Sequence, residues 1–273
     1  MTNTIFRIRL VGLLLAAAIV PPCIAADPET SRPNEDFGHA NQDKTKSGPV
    51  GCGPTAAANG LQYLQNAYSP MYSGSHSLVP GGDVTAAANQ LTDDMHTSEN
   101  SGTTIEYFVK GLTDYLQRKA PGMVEVHGMM SYAWDGGSPP DGMVDNSPPT
   151  LEWLYQQLVS GQAVFLRIGN GTTVHYLTLT GLSFDDKTNL GKMQVIDPWD
   201  GTSKPLQIEG LDGATKLIDT DFTLDGKSAD YVFGAVAASP KDFPPPIPEP
   251  ETYAMMLAGL GILGTVVRRR KTN

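Results

Sequence analysis

Cys52 lies in the stretch "GPVGCGPTAAANGLQYL" (residues 48–64), between two glycines and just ahead of a run of helix formers. A thiolate is the reactive form of cysteine, and a free thiol titrates near ~8.5. The unpaired N–H groups and the dipole of a helix N-terminus favour negative charge and lower that value. Pro54 suits an early helical position, and Gly53 lets a substrate approach the backbone closely. The Cys52 N–H would then point towards an oxyanion. A cysteine so placed is either a nucleophile or a buried spectator, and a nucleophile needs a base within hydrogen-bond reach. His175 is the best candidate, because it lies inside the apolar stretch "VHYLTLTGL" (residues 174–182), where an imidazole needs a partner, catalytic or structural. A third group should hold the imidazole. Asp197 ends the next strand-like stretch, and Pro198 forces the chain out of the ladder there. Adjacent antiparallel strands would put that carboxylate beside His175. An aspartate before proline is equally a common turn residue, and Asp200 is an alternative third group.

These three residues must be positioned by elements read from periodicity. The segment 27–47 is polar and loop-like. After Cys52, Ala57, Leu61 and Leu64 are spaced for one helical face. Residues 68–82 read as loop. Asp83 caps a second helix, with Val84, Ala88, Leu91 and Met95 on one side. Thr103 and Glu106 have capping-box spacing ahead of a third helix carrying Ile105, Phe108, Leu112 and Leu116. Residues 134–149 form a long Pro/Gly loop, a candidate border of the cleft. A fourth helix with Leu151, Leu154 and Leu158 is closed by Gly161. Residues 163–169, 174–182, 193–197 and 231–238 are rich in strand formers. Helices first and strands later predict an α+β domain, a helical lobe against an antiparallel sheet.

The two ends carry signals of their own. Residues 1–26 read as a secretory signal, with Arg7 and Arg9, a short apolar run at 10–20 and Ala25-Ala26 at the cleavage site. Cys23 would leave with it. At the other end, residues 241–251 are a proline-rich spacer containing Pro248-Glu249-Pro250. Residues 252–267 carry no charge, and Arg268 to Lys271 follow at once, so that 252–273 form an apolar tail with a basic end. Sixteen helical residues span roughly 24 Å, marginal for a ~30 Å hydrocarbon core, and 252–273 read as a C-terminal transmembrane and basic sorting tail whose basic end stays cytoplasmic. Of nineteen basic residues six lie in these ends, and of twenty-nine acids only Glu251 does. Thirteen against twenty-eight remain, a formal charge of −15 for residues 27–250. Such a surface argues against nucleic acid and anionic lipid as partners. Cys52 is the one cysteine between the ends, so no intramolecular disulfide forms there. The histidines at 39, 76, 96, 127 and 175 show no metal-ligand spacing, and no metal or cofactor is expected.

The order Cys, His, Asp is that of papain-like cysteine peptidases. More closely, "GCGPTAAANGLQYL", "LVSGQAVFLRIG", "HYLTLTGL" and "VIDPWDG" resemble the bacterial double-glycine-leader peptidases and their stand-alone relatives, over roughly residues 48–238. The papain signature C-G-x-C-[WY] is absent. The resemblance implies a papain-like fold over residues 48–240 and hydrolysis of peptide or amide bonds through an acyl-thioester. Cys52 would attack, His175 would accept and return the proton, and Asp197 would orient His175. Acyl transfer by the same groups is a related possibility. The family places an oxyanion glutamine about six residues before the cysteine, where this chain has Lys46. Gln42, ten residues before, is the nearest glutamine and the oxyanion candidate, with Asn41 beside it. That departure leaves a second reading open, a non-catalytic envelope or biofilm-matrix binding protein on the same fold. The relatives that process leaders are joined to ABC transporters; this sequence has no such membrane or ATPase part, so leader cleavage is not the expected task. The tail resembles the PEP-CTERM sorting signal, which implies a membrane-held precursor at the inner membrane, an exosortase-type enzyme as partner and an exported bacterial product.

Overall fold

The computed structural model describes residues 28–135, 137–218, 223–224 and 226–241. The signal at 1–26 with Cys23, and the spacer and tail from 242 to 273, lie outside the described residues. Along the chain run β1 (Glu29–Ser31), α1 (Cys52–Ala67), α2 (Val84–Asp94), α3 (Ile105–Lys119), β2 (Val124–Met130), β3 (Met143–Val144) and α4 (Leu151–Val159). Then follow β4 (Ala163–Gly169), β5 (Val174–Phe184), β6 (Leu190–Asp197), β7 (Thr202–Leu211), β8 (Ala214–Leu217), β9 (Thr223–Leu224), β10 (Lys227–Ser228) and β11 (Tyr231–Pro240). The class is α+β. Among the described residues no helix is long and apolar enough to cross a membrane.

Four of the expected strands and all four helices form where periodicity put them, but the caps and edges differ. Asp83 accepts from the Ala86 N–H and starts α2. The third helix is capped by Thr104, which accepts from the Tyr107 N–H; Thr103 is buried instead and bonds Thr97. The capping-box spacing was therefore off by one residue. The segment before Cys52 is not merely loop: β1 pairs antiparallel with β5, and three single-turn 3₁₀ helices bring the chain to Gly51. Residues 68–82 carry two more such turns, and Tyr68, Tyr72, Leu78 and Val79 are buried in the core.

The sheet is antiparallel except for β2 with β3. Its order is β1-β5-β6-β7-β8-β11-β2-β3, and β4 pairs with both β11 and β5. That double pairing closes β4, β5, β6, β7, β8 and β11 into a barrel. Closure removes sheet edges and leaves an interior for side chains. Leu166, Leu177, Val195, Ile208 and Ala235 belong to one core with Leu151, Leu154 and Leu158 of α4. A second core joins α1, α2 and α3 to Phe165, Tyr176, Ile196 and Val236 from the sheet. Helix α1 bridges the halves. It lies so close to β4 that a Cβ on Gly60 would stand 2.3 Å from the Phe165 ring. Thr178 of β5 donates its hydroxyl to the Ala56 carbonyl, 2.8 Å away. The N-terminus of α1 is thereby fixed beside the start of β5.

Candidate active site

Cys52 is the first residue of α1, with Gly51 as its N-cap. The first-turn N–H groups of a helix have no partner in its own ladder, so they are available at this point. The chain folds back sharply here because Gly48 has φ +54°, opening a single turn from Gly48 to Val50 that delivers Gly51. Gly53 faces Thr103, whose side chain lies 3.0 Å from where a Cβ would be. The bare backbone therefore matters after the cysteine.

His175 follows the first residue of β5 and is buried. Asp197 is the last residue of β6 and is buried too. Ile196 pairs with Thr178, so the two strands bring the carboxylate alongside the imidazole. His175 Nε2–H donates to Asp197 Oδ1 at 2.8 Å. The same oxygen accepts the Trp199 N–H at 2.9 Å. Asp197 Oδ2 accepts from Lys204 Nζ at 2.6 Å, and Lys204 also reaches Asp200 Oδ2 at 3.0 Å. The imidazole is hydrogen-bonded to the Cys52 side chain as well. With Nε2 spent on Asp197, Nδ1 is the nitrogen left for the sulfur. The structure thus brings Cys52, His175 and Asp197 into one chain of hydrogen bonds. Asp200 does not join the imidazole; it caps the turn by accepting from Thr202 and shares Lys204.

The electrostatics follow from those contacts. Burial pushes the Cys52 thiol up, but the His175 hydrogen bond and charge, with the Tyr176 and Gly53 N–H groups, outweigh it and leave the thiol below its ordinary value. Burial disfavours the imidazolium, yet the bonds to Asp197 and Cys52 raise His175 to about 9. Burial also opposes the Asp197 charge, and His175, Lys204 and the Trp199 N–H overcome it, bringing the carboxyl down to about 2. A thiolate facing an imidazolium is the charge state these directions favour.

Gln42 is fully buried. Its Nε2 donates to the Pro49 carbonyl at 2.7 Å, and its own N–H donates to the Pro198 carbonyl at 2.7 Å. It therefore links the segment before Cys52 to the turn after Asp197. Lys46, at the position where the resembling family has glutamine, turns away to an ion pair with Asp93 of α2. Asn41 spends its side chain on the Asp43 N–H.

A cleft of about 860 Å³ contains Cys52, His175, Asp197 and Lys204. Pro49, Val50, Thr172, Thr173 and Trp199 also line it, and Trp199 is 53 % exposed. The 134–149 loop is not among the residues lining it; residues 100–103 and 223–224 are. Sequence reasoning missed Lys204. Its signal was register: Asp197 pairs with Thr202, so the residue two further along β7 is its diagonal neighbour on the same face. Among the described residues no group of three His, Cys, Asp or Glu side chains is arranged to hold a metal ion.

Two family profiles match the chain. The Peptidase_C39 like family matches residues 34–212, and the PEP-CTERM protein-sorting motif matches residues 246–271. No curated protein matches it.

Proposed function

Since the chain belongs to the Peptidase_C39-like family, whose fold is papain-like, we propose that it hydrolyses peptide or amide bonds through an acyl-thioester on Cys52. The observation that carries this reading is a single imidazole held between a thiol at a helix start and a buried carboxylate, inside a cleft. The Cys52 thiolate attacks the scissile carbonyl, forming the C–S bond. The oxyanion meets the Cys52 N–H, and Gln42, buried against Pro49 and outside the residues that line the cleft, offers its remaining amide hydrogen as the candidate second donor. The His175 Nδ1–H passes its proton to the leaving nitrogen as the C–N bond breaks. His175 then takes a proton from water as it attacks the thioester, and the thiolate leaves. Asp197 keeps the ring in the tautomer that has Nε2–H and steadies the imidazolium. An amine in place of water would make the same groups a transferase.

The domain organisation proposed with this activity is a signal at 1–26, a segment at 27–47, the peptidase domain at 48–240, a spacer at 241–251 and a sorting tail at 252–273. The sorting motif marks an exported bacterial protein, and the proposed route is an inner-membrane precursor cut by an exosortase-type enzyme, leaving a peptidase outside the cytoplasm that acts on peptides or proteins.

One observation favours the second reading, a binding or matrix protein: Lys46 stands where the family has its glutamine, and the Gln42 amide already serves Pro49. Iodoacetamide labelling of Cys52 across pH, in wild type and His175→Ala, separates the two. An activated pair labels well below pH 8 in wild type, and His175→Ala returns it to an ordinary thiol curve. A wild-type curve that is ordinary already and indifferent to His175 would exclude the peptidase.

A further inference from the structure

We propose that Lys204 is a positioning residue of the Cys52–His175–Asp197 unit, occupying the outer oxygen of Asp197 and limiting how tightly that carboxylate holds the His175 imidazolium. The inference rests on the peptidase reading. Its geometry is direct. One Asp197 oxygen accepts hydrogen bonds from His175 and from the Trp199 N–H, and the other accepts from Lys204 at 2.6 Å. A lone buried aspartate would hold an imidazolium so firmly that the ring would be a poor acid towards a leaving amine. A cation on the far oxygen weakens that hold, since a carboxylate shared with a second positive group attracts the first one less.

Lys204 is itself tuned. It is one-third exposed, lies in the cleft wall and divides its charge between Asp197 and Asp200. The charged and titratable groups facing this unit are Cys52 from α1, His175 from β5, Asp197 and Asp200 from β6 and its turn, and Lys204 from β7. Tyr176, next to His175, has its hydroxyl buried and held neutral far above its ordinary range. His39 donates its Nδ1–H to the Gly201 carbonyl at 2.8 Å and braces the turn from the other side. Asp200 is thus a tether that draws part of the lysine charge away from Asp197.

The test follows two readouts in the full chain: the His175 ring titration by NMR of ¹³C-labelled histidine, and iodoacetamide labelling read on the Cys52 peptide by mass spectrometry, which separates it from Cys23. In Lys204→Met the His175 titration should move up by roughly one pH unit, while Cys52 stays activated with its lower labelling inflection little changed. Lys204→Arg should restore the wild-type His175 titration. Asp200→Asn, a surface change, should move His175 the other way, because one carboxylate competing with Asp197 for the lysine is removed and a negative charge is lost from the site. A merely structural lysine gives a different result: its loss would return both groups towards ordinary values, which overturns the proposal. An unmoved His175 in Lys204→Met, with Cys52 still activated, overturns it and leaves the peptidase reading standing. An ordinary thiol in wild type overturns both.

Discussion

At the scale of the residue, the site depends on what each polar atom has left to give. Gln42 has one amide hydrogen on Pro49 and a buried Oε1 with no hydrogen-bond partner among the described residues. Its bonds to the Pro49 and Pro198 carbonyls hold it between the turn before Cys52 and the turn after Asp197. If its second amide hydrogen meets the oxyanion, Gln42→Ala should lower peptide hydrolysis by ~10²–10³. Labelling of Cys52 should change little, because alkylation develops no oxyanion. Steady-state hydrolysis and labelling on the same variant check this. Equal losses in both would mean that Gln42 only holds Pro49 and the turn from which α1 springs.

At the scale of the element, close approach decides. Gly60 sits mid-helix, where alanine would gain ~1 kcal/mol of helix propensity. The Phe165 ring occupies the space that its Cβ needs, and overpacking a filled core costs ~1–3 kcal/mol. Packing wins: Gly60→Ala should lower the denaturant midpoint without changing the slope, and it should disturb labelling of Cys52 because α1 is pushed off β4. What was legible in the sequence follows the same division. Helices α1 to α4 could be read because their apolar residues recur at helical spacing. Strands β4 and β5 could be read because both are apolar along their length. Strand β2 could not: Gly128 interrupts it, and its fit depends on the Ala235 carbonyl, which a Cβ would meet at 2.3 Å. Strand β7 could not, because Pro205 and Gly210 depress any strand signal; its place comes from pairing residue by residue with β6. With β7 went Lys204. Cys52, His175 and Asp197 were found because their chemistry is unusual for their surroundings. Lysine in a polar strand is not.

At the scale of the whole molecule, the site lies where two cores meet. Cys52 arrives on a helix of one core, and His175 and Asp197 on strands of the barrel that encloses the other. The Cys52–His175 contact therefore exists only when the halves are joined, whereas His175 and Asp197 meet within the barrel, and the pH dependence of stability should report that second pairing. The folded Asp197 titrates near 2, below its ordinary 3.8. Its contribution is present above about pH 4 and is lost as pH falls towards 2. The folded His175 titrates near 9, above its ordinary 6.5. Its contribution is complete below about pH 6.5 and is lost as pH rises through 9. Thermal unfolding should then give a plateau between these flanks. One pKa unit corresponds to 1.36 kcal/mol, so the pairing is worth on the order of 2 kcal/mol on the plateau. In Asp197→Asn the loss of Tm relative to wild type should be largest on the plateau and should shrink steadily below pH 4, where the wild-type carboxyl is itself becoming neutral. A loss that stayed constant from pH 7 to pH 2 would mean that Asp197 serves the fold through shape alone, and that its charge adds nothing to the joining of β5 and β6 at the site.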